Sequence, residues 1–270
     1  MKFSDWARSH FDRDTDFALI TGGTSGIGLE FAELVCREHC NCLLLSDEAD
    51  ALEHTKAALE ARYGVTVQTL LCDLADDNAL QACHDELTKR SPKIRVLINN
   101  AGFGLKGAFD SIPINRYRDI VQVNAFAQTA LSHAVLPAMR ARGAGLHINV
   151  ATINVASPIP YNTVYTATKH YVYAYGLAVA QEFEGSGIFF QMLLPGTTAT
   201  PFHAKQGSTP SAMTMSAREV AECSFADVSR LICIPNRADV ILFHAAKLLP
   251  IRLKLRLSQY IAKKRLGLKR

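Results

Sequence analysis

The residue pair with the clearest chemical use is Tyr165 and Lys169, in the run Tyr165-Thr-Ala-Thr-Lys169. Four residues apart on a helix, the phenol and the ammonium share a face. A tyrosine with the ordinary pKa of about 10 is a poor base near neutrality, but a positive charge within about 4–6 Å favours the phenolate and lowers that pKa. The pair could move a proton to or from a hydroxyl or carbonyl oxygen, although the same spacing also occurs by chance in solvated helices.

A glycine-rich turn comes early in the chain, in Thr21-Gly22-Gly23-Thr24-Ser25-Gly26-Ile27-Gly28. Phosphate groups need backbone N–H groups nearby and the positive end of a helix, and side chains at these positions would block their approach. The turn follows a short apolar run and opens a helical pattern. It therefore predicts a cradle for nucleotide phosphates, with a tight turn that binds nothing as the alternative.

Polar or small residues also end the third and fourth apolar runs, as Asp73-Leu74 and Asn100-Ala101. The carboxyl ends of parallel strands meet at one edge of a sheet, which is the usual ligand crevice. We expect the first pair to lie beside an adenine ring and the second pair to line the cofactor. Each signal is weak alone, because Asp and Asn are common turn residues.

Asp47 ends the second apolar run, 19 residues beyond Gly28. A carboxylate there accepts hydrogen bonds from the ribose hydroxyls and repels a 2′-phosphate. Neither Ser25 nor Glu48 supplies the cation that such a phosphate needs. Electrostatics therefore favours NAD over NADP, while helix capping is the alternative use of Asp47.

These residues require a scaffold that gathers the strand ends. Short apolar runs occur at 17–20, 42–45, 65–71, 94–98, 146–150, 188–194 and 231–234, and helical patterns occur at 27–37, 49–62, 77–90, 114–140 and 162–184. Such alternation predicts an α/β protein with a parallel sheet covered by helices on both faces. No linker or low-complexity stretch divides the chain, so we expect one domain.

Composition excludes several classes of protein. The chain has 270 residues, of which 49% are hydrophobic and 20% charged, unlike disordered or collagen-like sequences. Its longest apolar stretches are shorter than the roughly 20 residues that span a bilayer, so no transmembrane helix is expected. The start lacks the apolar core of a signal peptide, and seven cysteines fit free thiols in a reducing cytoplasm. Cys36, His39, Cys40 and Cys42 lack the pairing of a zinc finger, and we expect buried side chains rather than a metal site.

Charge is distributed unevenly along the chain. Nine of the 29 basic residues and none of the 25 acidic ones follow Asp239, which leaves a formal charge of −5 up to that residue. The segment after Pro250 places Leu253, Leu257 and Ile261 near one helical face and basic residues on another. Peripheral membrane contact is one interpretation, and packing on the body or a second subunit is the other. Nucleic acid is not expected as a partner, because no aromatic interleaving or recognised binding module accompanies the charge.

Taken together, these motifs resemble the short-chain dehydrogenase/reductase family over about residues 16–235. The residues that carry the resemblance are Thr21–Gly28, Asp73, Asn99–Gly102, Asn124, Tyr165, Lys169 and Pro195-Gly196. The resemblance implies a single-domain, doubly wound Rossmann-type fold of about seven strands. It also implies hydride transfer between a nicotinamide and a carbonyl or alcohol carbon, and a homodimer or homotetramer.

The resemblance also implies roles for individual residues. Tyr165 would be the general acid/base, Lys169 would lower its pKa and hold the nicotinamide ribose, and Asn124 would position a water of the proton relay. The residues expected to bind the cofactor are Gly22, Ser25, Gly26, Ile27, Gly28, Asp47, Asp73, Leu74, Asn100, Ala101, Tyr165, Lys169, Pro195, Gly196, Thr198 and Thr200.

One position departs from the family pattern. Members of the family carry a serine 13 residues before the tyrosine, where this chain has Thr152. Threonine keeps the hydroxyl that can orient a substrate oxygen, but its methyl group restricts χ1. We expect reduced or substrate-restricted activity rather than none.

The substrate side is expected to be apolar. We expect residues 196–216 to form a lid, and the residues assigned to the substrate pocket are Thr152, Phe103, Phe109, Tyr161, Phe202 and Met213. These side chains favour a lipophilic substrate, although packing against each other or against a partner subunit is equally compatible with them.

The expected organisation is an N-terminal extension at 1–15, a catalytic domain at 16–235 and a basic amphipathic extension at 236–270. We predict an NAD-dependent oxidoreductase acting on a lipophilic secondary alcohol or ketone, in the cytoplasm or at a membrane surface. In the oxidising direction, the Tyr165 phenolate takes the hydroxyl proton. The alternatives are an NADP-dependent carbonyl reductase and a weakly active nucleotide-binding scaffold or sensor associated with a membrane or partner.

Overall fold

The computed structural model describes residues 1–202 and 214–266. Its strands are β1 (Phe17–Thr21), β2 (Asn41–Ser46), β3 (Val67–Leu71), β4 (Ile94–Asn99), β5 (Gly145–Val150), β6 (Ile188–Leu193), β7 (Thr198–Ala199), β8 (Met215–Ser216) and β9 (Ile232–Cys233). Seven of them form one parallel sheet in the order β3-β2-β1-β4-β5-β6-β9. From β1 the strands are added in one direction as far as β3, and from β4 they are added in the opposite direction. Parallel sheets open a ligand crevice where the strand order reverses in this way, here between β1 and β4.

Helices cover both faces of this sheet. They are α1 (Phe3–His10), α2 (Gly26–Arg37), α3 (Ala49–Tyr63), α4 (Asp77–Arg90), α5 (Ile114–Val121), α6 (Ala127–Arg142), α7 (Thr163–Glu182), α8 (Ala217–Ala226), α9 (Arg237–Leu248) and α10 (Ile251–Leu266). Because side chains alternate along a strand, Ala18 and Ile20 of β1 pack with α1, α2 and α8. Leu19 packs on the other face with α4 and α6. Burial on both faces explains why the strands are almost entirely apolar.

The predicted parallel sheet, helical layers and single domain are confirmed. Two details differ from the sequence patterns. The third strand begins at Val67 rather than at residue 65, and the predicted helix 114–140 is interrupted by a π-helical turn, Gln122–Phe126. Such turns insert one extra residue into a helix and are frequent at functional sites. This one contains Asn124.

Helices α1 and α9, on either side of the predicted catalytic domain, pack against the core. Phe3 and Trp6 of α1 are buried, and the Phe3 ring stacks on Phe225 with centroids 4.1 Å apart. Phe243 of α9 is buried in a cluster with Val172 and other residues near the carboxyl end of β5 and β6. The boundaries near residues 15 and 235 stay predictions.

The segment expected to be a lid is described only at its ends. Thr198–Ala199 pairs in parallel with Met215–Ser216, so the two ends of the segment lie side by side. Met213 lies outside the described residues. Within the ranges that are described, no helix combines the length and apolarity that crossing a bilayer needs. Those ranges also hold no group of three or more His, Cys, Asp or Glu placed to bind a metal ion.

Candidate active site

The glycine turn between β1 and α2 leaves no room for side chains. Gly22 and Gly26 have φ of 61° and 54°, in the left-handed region that glycine tolerates. A Cβ on Gly28 would lie 2.1 Å from the carbonyl oxygen of Gly22, so any larger residue would force the turn open. The glycines of the turn therefore leave its backbone open to an approaching phosphate.

The helix that follows presents its amino end to this turn. Ser25 is the residue before α2, and its side chain makes no capping hydrogen bond. The first N–H groups of the helix, which include those of Gly26, Ile27 and Gly28, carry the positive end of the helix dipole. This arrangement fits an anionic group such as a pyrophosphate.

Asn100 fastens the glycine turn to the end of β4. Its Nδ2 donates to the carbonyl oxygens of Thr21, at 2.9 Å, and of Gly22, at 3.3 Å. In return, Thr21 Oγ1 accepts from the backbone N–H groups of Asn100 and Ala101, both at 2.9 Å. The amide of Asn100 was expected to line the cofactor, and in the structure it shapes the backbone that would hold the phosphates.

Asp47 and Asp73 lie at the same edge of the sheet, directly after β2 and β3. The Asp47 carboxylate is exposed, whereas Leu74 is buried. Asp73 Oδ1 accepts from the backbone N–H of Ala75 at 2.8 Å, so part of its capacity is used in its own turn. Strand pairing brings both turns to the crevice, because the backbone N–H of Cys72 bonds the carbonyl oxygen of Ser46.

Thr152, Tyr165 and Lys169 come together as a buried group, exposed by only 6%, 7% and 4%. The Thr152 side chain lies close enough to the Tyr165 phenol to lower the pKa of that phenol. Lys169, one helical turn further along α7, donates from Nζ to the carbonyl oxygen of Val150 at 2.8 Å. That bond holds the lysine against the end of β5, so the strand fixes where the ammonium lies.

The protonation of this group differs from the sequence expectation. Burial raises the pKa of Tyr165 above its ordinary value, and the neighbouring Thr152 side chain only partly offsets this effect. Burial also lowers the pKa of Lys169 to about 8, which leaves the ammonium dominant at neutral pH. In the chain by itself, Tyr165 is therefore a neutral phenol, because burial disfavours its charged form.

Asn124 is buried and fully engaged with the protein. Its Oδ1 accepts from the backbone N–H of Phe103 at 3.0 Å, and its Nδ2 donates to the carbonyl oxygen of Phe103 at 2.8 Å. The same Nδ2 also donates to Thr168 Oγ1. A Cβ on Gly102 would lie 2.8 Å from Asn124 Oδ1 and 3.5 Å from Lys169 Nζ. Asn124 thus clamps the turn after β4 beside the lysine, and the relay role that the resemblance implies stays a prediction.

The turn after β6 reaches across the site. The carbonyl oxygen of Pro195 accepts from the backbone N–H of Ile153 at 3.0 Å and from Thr152 Oγ1 at 3.4 Å. Thr152 therefore has a fixed hydroxyl, held between this turn and Tyr165.

Three further predicted residues continue from this turn toward the glycine turn. Thr198 Oγ1 donates to the carbonyl oxygen of Gly196 at 3.2 Å, and Thr200 Oγ1 to that of Thr198 at 3.5 Å. A Cβ on Gly26 would lie 3.3 Å from Thr200 Cβ. The segment thus runs from Thr152 to the amino end of α2. This is the path expected of a segment that covers a bound dinucleotide.

Asp239 lies beside the turn after β6, although it is not part of any sequence motif. It lies in the first turn of α9, is 6% exposed, and burial raises the pKa of its carboxyl. A Cβ on Gly196 would lie 2.2 Å from Asp239 Oδ2. The one signal available in the sequence is that Asp239 is the last acidic residue of the chain.

Of the aromatic residues assigned to the pocket, Phe202 lies beside Tyr165. The Phe202 and Tyr165 rings have centroids 5.8 Å apart. Phe103 follows the turn clamped by Asn124, and the Arg116 guanidinium lies 5.4 Å from the centroid of its ring.

The remaining pocket residues are less closely tied to Tyr165. Tyr161 has φ of 63°, unusual for a residue with a side chain, and its carbonyl oxygen accepts from the backbone N–H of Gly107. Phe109 is 63% exposed and stacks on Tyr117, so its contacts do not place it with Phe202.

Comparison with known proteins gives matches across most of the chain. The family model described as short chain dehydrogenase matches residues 16–211. The very-long-chain 3-oxoacyl-CoA reductase of Rattus norvegicus is 29% identical over 189 residues, which cover 68% of this chain and 60% of that protein. The chain thus spans about 60% of the length of this curated relative.

Solved structures share the fold and some of the sequence. A short-chain dehydrogenase from Sphingobium yanoikuyae in complex with NADPH has a TM-score of 0.80 and 28% identity, covering 85% of this chain and 91% of that one. The bulky-bulky ketone specific alcohol dehydrogenase from Comamonas testosteroni has a TM-score of 0.75 and 26% identity, covering 86% and 92%.

Proposed function

This chain belongs to the short-chain dehydrogenase family, and on that premise we propose that it transfers a hydride between NAD(H) and a lipophilic secondary alcohol or ketone. The observation that carries the proposal is the buried group of Thr152, Tyr165 and Lys169 at the carboxyl end of β5. A phenol, a hydroxyl and an ammonium gathered in one place can bind and protonate an oxygen atom. The glycine turn supplies the adjoining nucleotide cradle.

Ketone reduction suits the protonation state of Tyr165. NAD(H), when bound, supplies the two-electron donor or acceptor. The neutral phenol donates its proton to the carbonyl oxygen of the substrate, and the Thr152 hydroxyl hydrogen-bonds the same oxygen and orients it. In the oxidising direction, Tyr165 first gives up its proton, and the Lys169 ammonium stabilises the resulting phenolate.

The choice of NAD over NADP rests on Asp47. Its exposed carboxylate follows β2, where the ribose of the adenosine is expected, and Ser25 and Glu48 supply no cation for a 2′-phosphate. Titration of the protein with NADH and NADPH, followed by nucleotide fluorescence, compares the two affinities directly. Tighter NADH binding is expected, whereas equal affinities would remove the role of Asp47 and favour an NADP-dependent carbonyl reductase.

A lipophilic substrate is supported by the aromatic ring of Phe202, which lies beside Tyr165. The names of two relatives, a bulky-bulky ketone specific alcohol dehydrogenase and a very-long-chain 3-oxoacyl-CoA reductase, point to large substrates. We include a cytoplasmic location and a homodimer or homotetramer in the proposal, on the support of the free thiols and of family membership.

The decisive experiment compares turnover of a panel of bulky ketones and secondary alcohols by the parent and by Tyr165→Phe. Loss of the phenolic proton is expected to lower turnover by about 10²-fold or more with little change in NADH affinity. Tyr171→Phe, on the same helix but 45% exposed, is the matched control and should keep parental turnover. Parental turnover in Tyr165→Phe would refute the assignment.

A second candidate is a nucleotide-binding scaffold or sensor with little chemistry, favoured by Thr152 in place of the family serine. It predicts that the parent binds NADH and turns over none of the panel. Measurable turnover by the parent would exclude it.

A further inference from the structure

The two C-terminal helices expose many aliphatic side chains. On α9, Ile241 is 72% exposed and Leu248 is 87% exposed. On α10, Leu253, Leu257 and Ile261 are each exposed by more than two fifths. Soluble proteins expose single hydrophobic residues routinely, but a continuous set along two consecutive helices marks an interaction surface.

Three aliphatic side chains and two arginines of α10 form two adjacent lines along the helix. Ser258 Oγ donates to the carbonyl oxygen of Pro158 at 3.1 Å, which turns this face of the helix toward the protein body. Leu253, Leu257 and Ile261 recur every four residues and form one exposed line along the helix. Arg252 and Arg256 each precede a leucine by one residue, so they form a second line about 100° around the helix.

The charged side chains that follow Asp239 are all basic. No acidic residue follows Asp239. Arg252 and Arg256 are exposed, and within residues 1–202 and 214–266 neither takes part in a recorded ion pair. Aliphatic side chains bordered by unpaired guanidinium groups are what an interfacial helix presents to acyl chains and headgroup phosphates.

We propose that α9 and α10 bind the surface of an anionic phospholipid bilayer. The C-terminal surface, defined as Ile241, Leu248, Leu253, Leu257 and Ile261 with Arg252 and Arg256, lies on the membrane without crossing it. Its aliphatic side chains enter the boundary between headgroups and acyl chains, and its arginines bind headgroup phosphates.

A second copy of the chain fits this surface less well. In a two-fold symmetric dimer each patch meets its own copy. The arginines of two C-terminal surfaces would then face each other, and like charges brought together oppose association. An anionic bilayer neutralises the same groups.

Lipid binding would also place the candidate active site relative to the bilayer, and this part of the inference rests on the proposed function. Pro158, which holds Ser258, lies in the loop between the Thr152 turn and the helix that carries Tyr165. Docking of α10 would therefore bring the substrate side of the catalytic group near the bilayer, where lipophilic alcohols and ketones accumulate.

The test is co-sedimentation of the full chain with vesicles of phosphatidylcholine alone or mixed with phosphatidylglycerol. Binding to the mixed vesicles is expected, with weak binding to the neutral ones. Arg252→Gln/Arg256→Gln should weaken binding to mixed vesicles roughly 30-fold, because each basic residue near such a surface contributes about 1 kcal/mol. Leu253→Ser/Leu257→Ser should weaken binding to a similar degree through loss of apolar burial.

Lys89→Gln/Lys93→Gln is the matched control, since both lysines are exposed and lie at the end of α4 and just beyond it. It should keep parental binding. Retained NADH binding in every variant shows that the protein is folded. Equal partitioning of parent and Arg252→Gln/Arg256→Gln would overturn the proposal. So would the absence of vesicle binding together with a parent oligomer that Leu253→Ser/Leu257→Ser dissociates, because a second copy would then cover the surface.

Discussion

The carboxylate of Asp239 lies directly against Gly196. A Cβ on residue 196 would be 2.2 Å from Asp239 Oδ2, well inside any tolerable contact. Gly196 follows β6 and Asp239 lies in the first turn of α9, so the C-terminal helix limits which residue can occupy the turn that crosses the active site. A side chain at residue 196 would have to displace the Asp239 carboxylate, whereas the backbone of Gly196 does not adopt a left-handed conformation.

This contact predicts a strong coupling between the two positions. Gly196→Ala should destabilise the protein, because the new methyl group and the Asp239 carboxylate cannot occupy the same space. In an Asp239→Ala background the same change should cost less, with a coupling of at least about 1 kcal/mol. Urea unfolding of the two single variants and the double variant measures the coupling, and additive costs would show that the turn relaxes without help from α9.

A second prediction concerns Gly28. Gly28→Ala would place its methyl group 2.1 Å from the Gly22 carbonyl oxygen, so the turn must open and NADH affinity should fall about tenfold or more. The control is Gly64→Ala, at φ of 66° with no atom within 4 Å of its Cβ. That change should cost roughly 1–2 kcal/mol of stability and leave NADH affinity unaltered. Similar NADH affinities for both variants would argue against the phosphate cradle.

The Thr152 hydroxyl gives a third prediction. Thr152→Ala removes the hydroxyl group beside Tyr165 and should lower turnover roughly 10- to 100-fold. Thr152→Ser keeps the hydroxyl, loses the methyl group and should equal or exceed the parent. Turnover of one accepted ketone under saturating NADH is the measurement. If both variants match the parent, Thr152 does not orient the substrate.

His147 gives a prediction about pH. This residue of β5 is fully buried, its Nε2 lies 2.8 Å from Ser132 Oγ, and burial lowers its pKa to about 3. In the unfolded chain the imidazole takes up a proton below about pH 6.5, while in the folded chain it does not do so until about pH 3. Stability is therefore lost as the pH falls through this window.

From pH 7 to pH 5, His147 alone should remove about 2 kcal/mol from the free energy of unfolding. His147→Gln, which keeps a hydrogen-bonding group near Ser132, should lose correspondingly less. Urea unfolding at the two pH values gives the difference. Proton NMR of His147 in the parent is an independent check, since titration of its ring between pH 7 and pH 5 would contradict the burial argument.

Local patterns in the sequence were enough for the fold and for part of the site. Each strand is a short apolar run because both of its faces are buried, and each layer of helices follows from the alternation of those runs with amphipathic segments. The glycine turn and the Tyr165–Lys169 spacing are local as well, because both depend on residues within one turn and one helix.

Only the tertiary structure decided the contacts between residues that lie far apart in the chain. Asn124 on Phe103, Lys169 on Val150 and Asp239 on Gly196 each join two different elements, and no periodicity or motif encodes such pairs. The protonation of Tyr165 belongs to the same class. The spacing in the sequence identifies Lys169 as the partner of Tyr165. The pKa of Tyr165, however, depends on how completely the folded chain removes the phenol from water, and this is a property of the whole fold.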